Sequence, residues 1–368
     1  MDSRQAQISK VSAVGIAANV VLVIFKAVIG MIIGSIAIVT DALNNLADAF
    51  SSVVTMIGAK LAAKAPDRKH PYGYGQIEYL SSMAIGMLIL YTGVSSFVDS
   101  FEKILHPELA RYDTAAIVII VAGIAVKILL GRYFKKRGRE IGSEALTASG
   151  ADASLDALVS SSILVGAAVT LLWNVSIDGW IGIGIALLIL KSGIDVIRDS
   201  VSHIIGERIP AEEAKELKAE IEAHPRVLGA YDLILNRYGP ELTIGSVHIQ
   251  VPDEMTAPEI DALSREISGP LFTDHNIVMT VGIYAANEKT PEARKILKRV
   301  HELTAKNEDV LQVHGFYVDE VNRQVSFDLV LDFNTTDREK IRENLRSTLE
   351  KEFPGYSFSI VEDADFSD

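Results

Sequence analysis

Six long apolar stretches crowd the first 200 residues of this 368-residue chain, roughly 11–34, 35–63, 77–100, 114–133, 145–173 and 177–197. Each is close to or longer than the ~20 residues that an α-helix needs to cross a ~30 Å hydrocarbon core. Six such segments in succession suit a membrane and not a soluble core, so the pattern predicts six spanning helices. The rest of the chain is unlike them. Residues 1–208 carry 18 Lys and Arg against 17 Asp and Glu, whereas 209–368 carry 17 against 31. A near-neutral apolar part followed by an acidic polar part excludes a single soluble enzyme, a disordered chain and a nucleic-acid binder that relies on a basic field. The chain has no cysteine, which excludes disulfides, thiolate zinc sites and thiol catalysis.

The first stretch follows Arg4 and Lys10 but is too long for the apolar core of a signal peptide, so it is expected to be retained. Basic residues set the orientation. Lys64, Arg68 and Lys69 lie between stretches two and three, and Arg132, Lys135, Lys136, Arg137 and Arg139 between four and five. These connections are expected in the cytoplasm, with both termini.

From residue 209 the pattern changes to short amphipathic elements. Helix 211–224, strands 229–236 and 243–251, helix 257–272 and strand 276–284 are expected in the order αββαβ. The order then repeats as helix 291–306, strands 310–319 and 324–332, helix 337–352 and strand 356–361. Local echoes point to a duplication, such as Val247-His-Ile-Gln-Val against Phe327-Asp-Leu-Val-Leu. The expected architecture is a polytopic membrane protein with a six-helix transmembrane domain (1–208) and two α+β cytoplasmic modules (209–286 and 287–368). In each module two helices cover one face of a small mixed sheet.

The chemistry lies in carboxylates where lipid is expected. Stretch two reads Asp41-Ala-Leu-Asn-Asn-Leu-Ala-Asp48 and stretch five Asp152-Ala-Ser-Leu-Asp156. Asp41 and Asn45 are four apart, as are Asp152 and Asp156, so each pair projects from one helix face. An Asp at the middle of a membrane helix costs ~3 kcal/mol, and a divalent cation held between two such helices removes that cost. The donors are all oxygen, which suits Mn²⁺, Mg²⁺ or Ca²⁺, whereas a zinc-preferring site is expected to use imidazole or thiolate. Four ligands are few for calcium, and magnesium dehydrates reluctantly, so Mn²⁺ leads and Fe²⁺ follows. Asp48 is expected to be a solvated group or a proton relay. Lys26 is expected to meet a helix carboxylate, and Lys127 and Lys191 to snorkel toward water.

These motifs resemble the cation diffusion facilitator family. The likeness rests on Thr40-Asp-Ala-Leu-Asn-Asn, the loop Asp67-Arg-Lys-His-Pro-Tyr-Gly-Tyr-Gly-Gln-Ile-Glu78, and Gly150-Ala-Asp-Ala-Ser-Leu-Asp156, and covers about residues 8–286. It implies a transport site of Asp41, Asn45, Asp152 and Asp156, and metal export driven by counter-moving protons in a homodimer. Zinc-transporting members carry His where this chain has Asp152 and usually Asp where it has Asn45, so the departure resembles the manganese-exporting branch. The loop site of some members is matched by Asp67 and His70, but Tyr74 replaces its second His. His248 fits a ligand position of the family's cytoplasmic domain, but Tyr231 replaces another, so the zinc-sensing cluster looks lost. His224, His275, His301 and His314 read as surface or capping residues. The second module is an addition to the family plan.

The expected function is therefore efflux of a divalent cation, Mn²⁺ first, from the cell across its membrane by alternating access. The metal is the substrate, and no cofactor is called for. Fe²⁺ or Zn²⁺ efflux and a metal-gated cation channel are the alternatives. An intramembrane aspartyl protease also pairs two Asp residues in membrane helices, but the Gly-x-Gly-Asp motif such enzymes share is absent, so no enzyme is expected. Expected partners are a second copy, membrane lipid, the metal ion and protons, with no nucleic acid.

Overall fold

The computed structural model describes residues 4–33, 36–106, 114–173 and 178–364, and several side chains within these, 36–44 among them, fall outside the described part. Helices α1 (Arg4–Ile33), α2 (Ile36–Ala62), α3 (Ile77–Leu105), α4 (Thr114–Ile141), α5 (Glu144–Trp173) and α6 (Asp178–Ile205) fill the first half. At 1.5 Å per residue each is about 40–45 Å long. Among the described residues, α1, α3, α4 and α6 are apolar and long enough to cross a membrane by length and composition. The remaining two, α2 and α5, carry Asp41, Asp48, Asp152 and Asp156. Burial is inverted relative to a water-soluble bundle. Val21, Leu129 and Trp180 stand well exposed, whereas Asn19, Ser52 and Thr55 are buried. That is the distribution expected where lipid is the solvent and polar groups must find partners inside.

The tightest pairings are α3 with α6, α4 with α5, and α1 with α2, while α2 also packs on α5. Small residues set the α4–α5 distance. A Cβ at Gly131 would lie 2.7 Å from Ser154 Oγ, and one at Gly150 would lie 2.8 Å from the Lys135 amide nitrogen. Nothing larger than glycine fits there, and the close approach brings side chains of α4 within reach of the carboxylates of α5. A clamp joins three helix ends. The Arg4 guanidinium donates to both Glu78 carboxylate oxygens at 2.7 and 2.9 Å, and to the Ile141 and Gly142 carbonyls at 3.0 and 2.7 Å. Glu78 is almost fully buried, so its charge depends on that fork.

The chain forms two compact units, and the second, Arg208–Arg237 with Leu242–Asp368, is built differently. Its first module runs α7 (Ala211–Glu222), β1 (Gly229–Arg237), β2 (Thr243–Pro252), α8 (Ala257–His275) and β3 (Ile277–Ala286). The second runs α9 (Pro291–Thr304), β4 (Val310–Asp319), β5 (Gln324–Leu331), α10 (Arg338–Glu352) and β6 (Ser357–Ala364). The sheets are β1-β2-β3 and β4-β5-β6, each with an antiparallel pair followed by a parallel one. The αββαβ order read from the sequence is present twice. Alternation explains the layering. Val247, Ile249 and Val251 of β2 pack with Leu217, Ile221, Leu263 and Ile267 of the helices, and Phe327, Leu329 and Leu331 of β5 with Ile296, Val300 and Leu349. His248 and Asp328 alternate with these residues and so lie on the helix-free faces. Asn287 couples the modules, because its side-chain amide donates to the Val318 carbonyl at 2.7 Å and accepts from the Val318 amide at 3.1 Å.

Candidate metal centre in the helical domain

Asp48 on α2 and Asp152 and Asp156 on α5 each bring one carboxylate oxygen into a group within 4.8 Å of one another. The i,i+4 spacing of Asp152 and Asp156 puts both on the face of α5 turned toward α2 and α4. Lys127 of α4 enters the same group. Its Nζ lies 2.8 Å from Asp156 Oδ2 and in contact with Asp48 Oδ2, and the residue is 5% exposed. The ammonium therefore does not snorkel; the glycine-spaced α4–α5 approach holds it on two carboxylates that otherwise face each other without compensation.

Beside this group lies a cavity of about 10 Å³ bordered by Asn19, Asp48, Ser51, Lys127, Ser149 and Asp152. That is space for one small ion or a water. Asn19 Oδ1 and Ser51 Oγ are buried and make no hydrogen bond. An unpartnered buried carbonyl costs ~1–3 kcal/mol, which a cation seated in the cavity would offset.

Of the residues singled out in the sequence, Asp152 and Asp156 thus sit together, and Asn45 is buried on α2, three residues before Asp48. The side chain of Asp41 falls outside the described residues. Asp48 is not solvated; it is a full member of the group. One participant, Lys127, was noted in the sequence but expected to snorkel, and another, Asn19, was missed. Lys127 and Asn19 are polar residues in apolar stretches, and that oddity was their only signal.

In the loop after α2, Asp67 and His70 belong to a turn. Asp67 Oδ1 accepts from the Lys69 and His70 amides at 3.0 and 2.8 Å, and Oδ2 from the Tyr74 hydroxyl at 2.6 Å and from Lys64 at 3.3 Å. Both oxygens are taken up in closing a turn, helped by Gly73 at φ +83°. The Tyr74 hydroxyl, then the His70 amide, hold the Asp67 carboxyl well below the usual range.

The cation efflux transmembrane domain model matches residues 12–205. This chain belongs to the cation efflux family. An uncharacterized transporter of Methanocaldococcus jannaschii is 27% identical over 74% of this chain and 95% of its own. The manganese efflux system protein MneS of Bacillus subtilis is 28% identical, over 72% of this chain and 90% of its own. The cation-efflux pump FieF of Cronobacter sakazakii is 24% identical, over 72% and 88%. Each is covered nearly end to end, while about a quarter of this chain lies outside the match. The family is one of transporters that move divalent metals, and the helical half of this chain is its transmembrane domain.

Proposed function

We propose that this chain exports Mn²⁺ in exchange for protons by alternating access, as a homodimer in the cell membrane with both termini cytoplasmic. The observation that carries the reading is the convergence of Asp48, Asp152 and Asp156 on one buried spot already occupied by an ammonium. Carboxylates that gather around one buried positive charge offer the donor set and the field that a second cation needs. Mn²⁺ arriving from the cytoplasm displaces Lys127 and protons from the carboxylates and is coordinated by Asp152, Asp156 and Asn45, with Asp41 completing the set. Rearrangement of α2 and α5 opens the site outward, and external protons and the returning Lys127 release the ion.

All-oxygen donors favour Mn²⁺ over Zn²⁺, and the likeness to a protein named for manganese efflux points the same way. Fe²⁺ is the next choice on the same donor chemistry. The basic connections after α2 and α4 support the orientation. Flux into proteoliposomes decides the matter. Mn²⁺ movement should follow an imposed ΔpH and fall ~100-fold or more in Asp152→Ala. Flux indifferent to ΔpH would make the protein a channel, and full flux in Asp152→Ala would remove the site.

A further inference from the structure

The two C-terminal modules meet at a second acidic cluster, and matching irregularities in their sheets build it. The register of β1 slips between Tyr231 and Ile234, and that of β4 between His314 and Tyr317. Asp232 at φ 52° and Gly315 at φ +61° occupy these bulges. A bulge re-aims a side chain, and here it turns the Asp232 carboxylate to the second module. Asp232 Oδ1 lies 2.8 Å from His314 Nε2, and Oδ2 lies 2.9 Å from His248 Nδ1 and 2.7 Å from the Tyr284 hydroxyl. His314 Nε2 is also 3.4 Å from Asp363 and 3.9 Å from Asp328. Asp328 Oδ2 is 2.7 Å from the same Tyr284 hydroxyl.

This arrangement is short of both protons and positive charge. One phenolic hydrogen serves two carboxylate oxygens at equal distance, so one of the two contacts is lone pair against lone pair. The His314 side chain has no exposed surface, and neither ring nitrogen makes a hydrogen bond. Its Nε2 is aimed among three carboxylates, yet the nearest oxygen lies off the direction in which a ring N–H donates. That offset has a simple geometry. Two donors held ~2.1 Å from one ion at a right angle are ~3 Å apart, and the separations of 2.8 and 3.4 Å fit edges of such a coordination polyhedron. Tyr231 stacks on the imidazole at 5.1 Å and fixes its plane.

We propose that Asp232, His314 and Asp328, with Asp363 as a fourth donor, bind one divalent first-row transition cation that bridges the two C-terminal modules. A mixed nitrogen and carboxylate donor set suits Mn²⁺, Fe²⁺ or Zn²⁺ better than Mg²⁺ or Ca²⁺, which take oxygen. The second module supplies three of the four donors, which gives that module a chemical task. The site stands apart from the transport reading, since none of its residues belongs to the helical domain.

The test uses full-length protein in detergent carrying Asp152→Ala, so that the membrane site is silenced. Mn²⁺ bound per chain is counted by electron paramagnetic resonance, and Zn²⁺ by isothermal titration. One ion per chain should remain, and adding His314→Ala or the near-isosteric Asp328→Asn should weaken it at least tenfold. Hydrogen exchange in β4 and β6 should slow on metal addition in the Asp152→Ala protein and not in the Asp328→Asn variant. No residual ion in the Asp152→Ala protein, or an ion retained at full affinity in Asp328→Asn, would overturn the proposal. Because flux through the helices is not measured, failure here leaves the transport reading intact, and the reverse holds too.

Discussion

The helical domain and the C-terminal modules each gather carboxylates into a pocket, but they balance the charge by different means. Between the helices the balancing group is Lys127, an ammonium at the end of a flexible four-carbon stem. Between the modules it is His314, an imidazole clamped by Tyr231 and sealed from solvent. A group that swings aside suits a place where ions arrive and leave. A nitrogen that stays put suits an ion that stays put as well. The proposed donors differ in the same sense, oxygen alone in the membrane and oxygen with nitrogen between the sheets.

The largest test of that contrast is Lys127→Met, which keeps the volume and removes the charge. With the internal competitor gone, Mn²⁺ affinity should rise about tenfold, ~1.4 kcal/mol, while proton-driven turnover slows because release loses its partner. Titration and flux on the same preparation check both signs. Weaker binding would show that Lys127 builds the pocket instead of guarding it.

A middle-sized effect concerns pH at the module interface in metal-free protein. Burial alone lowers the His314 pKa, but the Asp232 carboxylate set against its ring and the charges of Asp232, Asp328 and Asp363 outweigh it and leave it raised above 6.5. Its contribution is therefore complete below pH 6.5 and is lost as pH climbs through the raised value. Asp363, raised first by burial and then by its hydrogen bond to Asp232, acts in the same direction. Burial opposes the Asp232 charge, but the close contacts of His314 and Asp363 and the Tyr284 hydroxyl prevail and hold it low, so its part is present above 3.8 and fades in acid. Protection of the β4 amides, taken as the slowing of exchange relative to the intrinsic rate at each pH, should therefore be greatest between about pH 4 and 6.5 and fall toward pH 9. His314→Gln should flatten the alkaline limb, and protection that rises toward high pH would reverse the assignment.

The smallest effect belongs to the loop after α2. Tyr74→Phe removes one hydroxyl donor from an exposed turn and should move the melting temperature by ~1 °C or less, with bound Mn²⁺ per chain unchanged. A lost ion in that variant would add a third pocket to the comparison.

Periodicity made most of this architecture legible in advance. Alternating apolar residues such as Val247, Ile249 and Val251 mark a strand with one covered face, and the C-terminal elements fall within about three residues of where that pattern put them. Asp152 and Asp156 could be paired because helical spacing is local. Lys127 could not be placed, since its partners on α2 and α5 are 79 and 29 residues away and only the α4–α5 glycine contacts bring them near. His314 was misread as a surface or capping residue for a similar reason. The clue was there, because the duplication aligns His248 with Asp328, and strand pairing then sets His314 opposite Asp328 as Tyr231 is set opposite His248. What sequence alone does not supply is the bulge that turns Asp232 toward them.

That bulge restricts how the position can drift. Asparagine and glycine tolerate the left-handed backbone at residue 232 but bring no negative charge, while glutamate brings the charge and tolerates the backbone poorly. Any relative that keeps both the kink and an acid there has kept the one residue able to serve both. Residue 232 is thus a one-letter marker, readable in any genome, of whether a chain with this tandem tail still uses the gap between its sheets.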